Sequence, residues 1–462
     1  MEFRPTIGLE IHAELSTKTK MFCSCKNDPD EIQPNVNICP VCLAHPGALP
    51  VINRKAVQHI LRLGVAVGGT LAHFSEFDRK SYFYPDIPKG YQISQYEHPL
   101  VKGGELAGVA ITRVHLEEDT ARSTHEKEKS LVDFNRAGIP LMELVTEPVI
   151  SDAETAGNFA RELQLLLRTL GAGEANLEKG EMRIEANVSV SSTEEFGTKV
   201  EVKNLNSFRS VERAIAYEIE RQSALIKGGE RVLQETRGWN EVREETFSQR
   251  LKEGSADYRY FPEPDLPKLR LEEIGEFAPD AIRAALPELP WERRKRYTES
   301  FALKKEDVNF LILPERSAFF DLLVIELGED KKTVTLAANY FISDLGGEVG
   351  AVTPTSFAKL IKMIAGGSLS SRGAKEVLSV MKAAGGEPEA IAGEKGILQI
   401  EDRDLLKKAV QEVISAHPSV AADYKNGKEA ALQFLVGQAM KATKGAGNPG
   451  LLQEILIDEI KK

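Results

Sequence analysis

The chain has 462 residues, 42% of them hydrophobic and 28% charged, with a formal net charge of −11 at pH 7. This is too long for one core and predicts roughly two to four domains; the acidic balance argues against a broad non-specific nucleic-acid surface, though not against a local basic patch. No apolar run is long enough to span a bilayer and no signal-peptide pattern opens the chain, so a cytoplasmic protein without a membrane segment is expected.

Near the N-terminus, Ile7, Leu9 and Ile11 alternate with Glu10 and His12. Successive strand side chains point to opposite faces, so Glu10 and His12 share a polar face over an apolar one. All four cysteines follow closely, as Cys23-Ser-Cys25 and Cys39-Pro-Val-Cys42, with thirteen residues between the pairs. Four clustered cysteines in a cytoplasmic protein favour a metal over disulfides. Paired CxC and CxxC spacings suit tetrahedral zinc, and four thiolates leave no open coordination position, so the zinc is expected to be structural.

From Asp78 to Gln95 the chain mixes Arg79, Lys80 and Lys89 with four aromatics, a combination suited to phosphates and bases. Ile111–Glu117 alternates, with Arg113, His115 and Glu117 on one face, and runs into Glu118-Asp119. Carboxylates with an occasional imidazole suit magnesium or manganese, and Glu143 and Glu147 extend the set. A solvated turn after a strand is the commoner fate of such an acidic run, and each cluster taken alone fits that reading.

Ser151-Asp-Ala-Glu154 reads as a capping box, followed by a helical stripe of Phe159, Leu163, Leu166, Leu167 and Leu170 that stops at Gly171. Met182–Val190 alternates, with Arg183, Glu185, Asn187 and Ser189 on its polar face, and Lys199–Lys203 continues the pattern. A second helix follows Asn206-Ser207, with Phe208, Val211, Ile215 and Ile219 as its stripe. Arg209 in its first turn opposes the macrodipole, which fits an anionic partner or a surface arginine beside an acid. Strands and helices in irregular order predict an α+β domain with a largely antiparallel sheet over residues 1–290.

Beyond Trp291 the pattern is helical and charged, which predicts a helical domain over 291–400 and a tail over 401–462. In the tail, Leu432, Leu435, Val436 and Met440 form one helical face, and Asn448-Pro449 starts the last helix. Lys441 and Lys444 flank the Gly-rich break between them. There is no GxxxxGK[ST] loop, no strand–GxGxxG–helix unit and no GxSxG elbow.

These residues resemble a known family, the B subunit of the aspartyl/glutamyl-tRNA(Asn/Gln) amidotransferase (GatB). The resemblance covers essentially the whole chain. It is carried by GLEIHAEL (8–15), CPVCLAHPGALP (39–50), FDRKSYFYPDIPKGYQISQ (77–95), HLEEDTARS (115–123), AGIPLMELVTEP (137–148), EVKNLNSFRSV (201–211), DYRYFPEPDLP (257–267) and VGQAMKATKGAGNP (436–449).

The resemblance implies a glutamine-synthetase-like catalytic domain with a zinc knuckle at 23–42, a helical domain and a YqeY-like tail. It implies an ATP-dependent carbon–nitrogen ligase that converts misacylated Glu-tRNA(Gln) or Asp-tRNA(Asn) through an acyl phosphate. Its expected partners are an amidase (A) subunit that releases ammonia from glutamine and a small C subunit, in a heterotrimer. By position, Glu10, His12, Glu117 and Glu118 match catalytic and magnesium ligands, with Glu147 as a further magnesium candidate. Lys80 and Lys89 match nucleotide contacts, and Lys441 and Lys444 match the tail's approach to tRNA, although by themselves these two read as solvated lysines. The chain departs from the family pattern at Arg122, where a lysine is usual, at Glu185, where an aspartate is usual, and at Ala44, where a glycine is usual. A zinc-containing tRNA-binding scaffold without catalysis is the competing reading. It leaves unexplained why carboxylates with a desolvation penalty would be kept.

Overall fold

The computed structural model describes residues 3–251, 258–399, 402–443 and 447–462. The chain divides into two compact units, Met1–Pro290 and Trp291–Lys462. The first is rich in sheet and the second is helical, a mixed α+β organisation.

A ten-stranded sheet organises the first unit. Its spatial order is Glu245–Leu251, Glu235–Asn240, Val200–Leu205, Met182–Ser191, Arg4–Glu14, Pro140–Thr146, Val109–Glu118, Val101–Lys102 and Thr70–Leu71, with Glu105–Leu106 hairpinned onto Val109–Glu118. Neighbours pair antiparallel except Val200–Leu205 with Glu235–Asn240. Antiparallel pairing lets one face pack on a core while the other stays polar. The apolar face carries Ile7, Leu9, Ile11, Leu116, Met142, Leu144, Ile184, Ala186 and Val188, all nearly inaccessible.

The helices Ala153–Thr169 and Phe208–Lys227 pack on one another, and the second lies against the strand Met182–Ser191. Phe159, Leu163, Leu166, Leu167 and Leu170 form the buried stripe of the first, ending where Gly171 takes φ +62°. Its cap is Asp152, whose side chain accepts from the Thr155 amide at 2.8 Å, so the helix starts one residue later than the Ser151 capping box predicts. Asp152 is the better N-cap because its carboxylate reaches the third helical amide. The second helix follows Asn206-Ser207 as expected and is capped by Ser207, but its buried side includes Glu218 and Gln222 beside Val211 and Ile215.

Glu218 is fully buried and accepts from Arg221, Gln222 and Thr246. Gln222 in turn accepts from the Val190 amide at 3.0 Å and donates to the Val188 carbonyl at 3.1 Å, pinning helix to strand. A small three-stranded sheet, Phe261–Pro262, Asp78–Ser81 and Tyr91–Ser94, flanks the large one. Arg79 holds it together through a bidentate pair with Glu263, at 2.7 and 2.8 Å.

In the second unit, helices from Pro290–Phe301 to Pro449–Lys461 follow one another. The helices Arg403–Ala416, Glu429–Ala442 and Pro449–Lys461 contribute to a core of their own around Leu406, Val410, Leu435, Leu452 and Leu456. Asn448 caps the last helix and Pro449 opens it. No described helix is long and apolar enough to cross a membrane.

Removing the buried Glu218 carboxylate takes from Arg221 its charged hydrogen-bond partner. Glu218→Ala therefore destabilises the chain by about 3–5 kcal/mol, read as a lower urea midpoint. A loss within ~0.5 kcal/mol would mean that the network contributes nothing to the helix–sheet contact.

Candidate functional site

The polar face of the large sheet is built by register. His12 sits opposite Glu143 on one side and Arg183 on the other, and Glu143 sits opposite His115. One row across four strands therefore reads Arg183, His12, Glu143, His115. The next row holds Glu185, Glu10, Val145 and Arg113. On the other side of the first row, Glu117 pairs with Leu141. Lys80 from the small sheet joins the charged groups and imidazoles of these rows in lining a cavity of about 640 Å³.

Glu143 is the hub. Its Oε2 lies 3.3 Å from His115 Nε2 and 3.5 Å from His12 Nε2, and its Oε1 accepts from Arg113 at 3.2 Å. Burial works against ionisation, but the two imidazoles outweigh it and hold the carboxyl well below its usual range. Glu117 lies 3.5 Å from His12 and accepts from the Ser94 hydroxyl at 3.2 Å. Glu10 moves upward, because burial and the Glu143 charge both disfavour its anion. Burial would lower His12, yet Glu143, Glu117 and Glu10 overcome it and raise the imidazole to about 9. Burial also opposes the Lys80 ammonium, but Glu117, Tyr260 and Glu143 keep it charged beyond the ordinary lysine range.

Two triads here present donor atoms within 4.8 Å of one another: Glu10, His12 and Glu143, and His115, Glu117 and Glu143. Oxygen-rich sets with imidazole fit a hard divalent cation. Further out, Lys203 binds both oxygens of Glu185 at 2.8 Å. Arg183 holds Asp119 at 3.0 Å, and the carboxyl of this buried Asp119 is lowered because Arg183 and Arg136 outweigh desolvation.

Three residues that the resemblance implies for the site, Glu118 and Glu147 as magnesium ligands and Lys89 as a nucleotide contact, do not line this cavity. Glu118 follows Glu117 on one strand and must point to the opposite face. There it pairs with Lys89 at 2.5 Å and accepts from the Ile93 amide at 3.0 Å. Lys89 is thereby committed to Glu118 and does not line the cavity. Glu147 lies past a register shift at Val145/Thr146, and its carboxylate accepts from Thr112 at 2.8 Å. Conversely Glu143, which the sequence offers only as an extension of the acidic set, is central. Its signal is a lone charge between Leu141 and Val145 in an apolar strand. Arg209 lies outside the cavity, whereas Lys203, Tyr258 and Tyr260 line it from distant segments. Lys441 is exposed in the last turn of its helix, and Lys444 lies outside the described residues.

The cysteines converge in the loops after the first strand. All four sulfurs lie within 4.8 Å of one another, with Cys39–Cys42 at 3.9 Å and Cys25–Cys42 at 4.0 Å. Tetrahedral zinc with ~2.3 Å bonds places sulfurs ~3.8 Å apart, so the set fits that ion. The hydrogen bond between Cys23 and Cys42 lowers the Cys42 thiol, with help from Lys20 and against burial, and raises that of Cys23. Ala44, just beyond, has φ +56°, which explains the fit of a glycine at that position.

The metal-free His12 imidazole is predicted to titrate near 9 by NMR, and Glu143→Gln to bring it towards the ordinary 6.5. Because the folded value is the higher, this group's contribution to stability is complete below about pH 6.5 and fades as pH rises through about 9. A midpoint at or below 6.5 would show that the carboxylates do not outweigh burial.

Comparison with known proteins agrees with this architecture. The GatB/GatE catalytic domain family matches residues 5–274, and the GatB domain family matches residues 318–460. The B subunit of the aspartyl/glutamyl-tRNA(Asn/Gln) amidotransferase of Thermoanaerobacter pseudethanolicus is 43% identical over the full length of both chains. The protein of the same name from Thermomicrobium roseum is 44% identical over all of this chain and 99% of its own, and that from Persephonella marina is 42% identical over both whole chains. Full-length identity at this level, with both domain families matched in order, shows that the chain belongs to the GatB family of tRNA-dependent amidotransferase B subunits.

Proposed function

We propose that this chain activates and amidates the side-chain carboxylate of misacylated Glu-tRNA(Gln), Asp-tRNA(Asn) or both, with ATP as phosphoryl donor. The observation that carries this reading is the charged row His12–Glu143–His115, with Glu10, Glu117 and Lys80, in one cavity. A carboxylate resists ammonia because its oxygen leaves poorly. Attack of that oxygen on the γ-phosphorus of ATP gives an acyl phosphate and ADP. Ammonia then adds to the carbonyl carbon, inorganic phosphate leaves, and the amide remains.

The chain's own groups divide the work. Glu10, His12, Glu117 and Glu143 would hold Mg²⁺, which when bound neutralises phosphate charge and the charge spreading on the transferred group. His12 ligates only once Nε2 has released its proton, so cation affinity rises with pH. Lys80 supplies a fixed cation towards phosphate oxygens without needing to titrate. Zn²⁺ on Cys23, Cys25, Cys39 and Cys42 would brace the loops beside the sheet.

Those thiols are the chain's four cysteines, so none is free as a nucleophile for glutamine. Ammonia then comes from an amidase (A) subunit, with a small C subunit completing a cytoplasmic heterotrimer. The 291–400 and 401–462 segments act as a helical domain and a YqeY-like tail, with exposed Lys441 and its neighbour Lys444 meeting tRNA phosphates. The first 290 residues carry the glutamine-synthetase-like catalysis.

In the complex reconstituted with both partner subunits, ATP, glutamine and both misacylated tRNAs, Glu117→Gln is expected to abolish amidation while leaving tRNA binding nearly intact. The change removes charge and keeps shape. Near-normal turnover of the variant at saturating magnesium would sink the assignment. Cys39→Ser is expected to release zinc on dialysis and to lower the thermal midpoint. Wild-type protein prepared without chelator that carries no metal by elemental analysis would refute the zinc centre.

A further inference from the structure

The strand Val109–Glu118 brings His115 and Glu117 to the cavity, and its outer edge is held by side chains that the phosphoryl chemistry above does not use. Along that edge the short strand Val101–Lys102 pairs with Val114 and Arg113. Past this point the edge is met by Gln92–Gln95, in and just after the strand Tyr91–Ser94 of the small sheet. Gln95 Oε1 accepts from the Leu116 amide at 3.0 Å, and Gln92 Nε2 donates to the Glu118 carbonyl at 2.7 Å. Leu116 and Glu118 are two residues apart and turn their backbone groups to the same edge, so the two glutamine amides take the place of a neighbouring strand. Gln95 is itself fixed, since its Nε2 donates to the Ser75 hydroxyl at 2.6 Å.

Glu117 sits between these two contacts. Ser94 donates its hydroxyl to Glu117 Oε2 at 3.2 Å, while Oε1 is the oxygen that lies 3.5 Å from His12 Nε2. The hydroxyl thus occupies one carboxylate oxygen and leaves the other turned towards His12. Ser94 is 2% exposed and does not line the cavity, so it reaches the site through Glu117. The same short strand pairs Gln92 with Lys80, so the backbone that holds Glu117 also sets the place of the cavity's lysine. Groups that orient a metal-binding side chain from behind change metal affinity or activity by about 10–100-fold when removed.

We propose that Ser94 is a positioning residue for the reaction: it holds Glu117 with Oε1 towards the cation, while Gln92 and Gln95 fix the backbone on either side. The proposal rests on the reading of Glu117 as a ligand of Mg²⁺, and it adds the group that orients that ligand. A carboxylate already held in one rotamer loses less freedom when it binds a cation, so the contribution of the hydroxyl falls on cation affinity. Buried behind the carboxylate, Ser94 offers no surface to tRNA, and tRNA affinity does not depend on it.

The test uses the complex reconstituted with both partner subunits and loaded with zinc. Mn²⁺ binding without nucleotide, read by electron paramagnetic resonance, is compared for wild type, Ser94→Ala, Ser94→Thr and Glu117→Gln, with thermal midpoints as the check on folding. For Ser94→Ala the expected result is a roughly ten-fold weaker Mn²⁺ affinity, a similar rise in the magnesium concentration for half-maximal amidation, and an unchanged KM for misacylated tRNA. Ser94→Thr, which keeps the hydroxyl, recovers most of the loss. A serine needed only for the fold would instead give a lower midpoint in Ser94→Ala and a rise in every KM together, which would overturn the positioning role. Threonine as weak as alanine at a wild-type midpoint would do the same. Wild-type Mn²⁺ affinity in Ser94→Ala, with affinity lost in Glu117→Gln, would remove the positioning role alone. Wild-type affinity in Glu117→Gln as well would take Glu117 out of the cation site, and the proposal with it.

Discussion

Three positively polarised side chains converge on Glu143, a carboxylate on the middle of a strand: His115 at 3.3 Å, His12 at 3.5 Å and Arg113 at 3.2 Å. A buried charge persists only when it is paired. The rest of the cavity follows from that constraint. The same strand alternation that drives Leu144 and Met142 into the core presents Glu143, and the strands on either side must answer it with imidazoles. His12 is answered in turn by Glu117 and Glu10, so a lattice of alternating charge spreads across four strands.

This lattice is balanced without being relaxed. Glu10 is raised while Glu143 is lowered, although both are carboxylates on adjacent strands. The difference lies in their partners: Glu143 has two imidazoles and a guanidinium, whereas Glu10 faces burial and a neighbouring anion before His12 helps it. A divalent cation would offset the Glu143 charge that raises Glu10 and release the proton that His12 holds. A metal-binding role is therefore consistent with the charge balance of the face as well as with the donor types.

The sheet also separates two kinds of chemistry. Glu117 and Glu118 are consecutive, yet the first faces the charged cavity and the second faces Lys89 on the side of the cysteine cluster. A strand can serve two sites only in this way, because its side chains alternate. Gly138 shows how close the second site is to the turn that follows: a Cβ there would meet Lys20, Cys42 and Glu118. The backbone of Gly138 donates to the Asp119 carbonyl at 2.9 Å and accepts from the Met21 amide at 2.7 Å, tying the cysteine loops to the strand end that carries Asp119.

Much of this was legible in the sequence. Alternation over residues 7–12, 111–117 and 182–190 identified the polar faces, since that property is local and has a period of two. The CxC and CxxC pairs identified the cysteine cluster, because short spacings limit where sulfurs can go. Long matching blocks tied the chain to its family, which carried Glu118 and Glu147 along as magnesium ligands and Lys89 as a nucleotide contact without testing their direction. Only the tertiary structure decided register, and with it which residues meet. A strand's partners are chosen by packing over long sequence separations, so nothing near Glu143 announced that His12 and His115 would flank it. For the same reason Tyr258 and Tyr260 became neighbours of Lys80 only when the small sheet closed, and Glu147 falls just past the end of its strand, after a register shift that no local pattern marked.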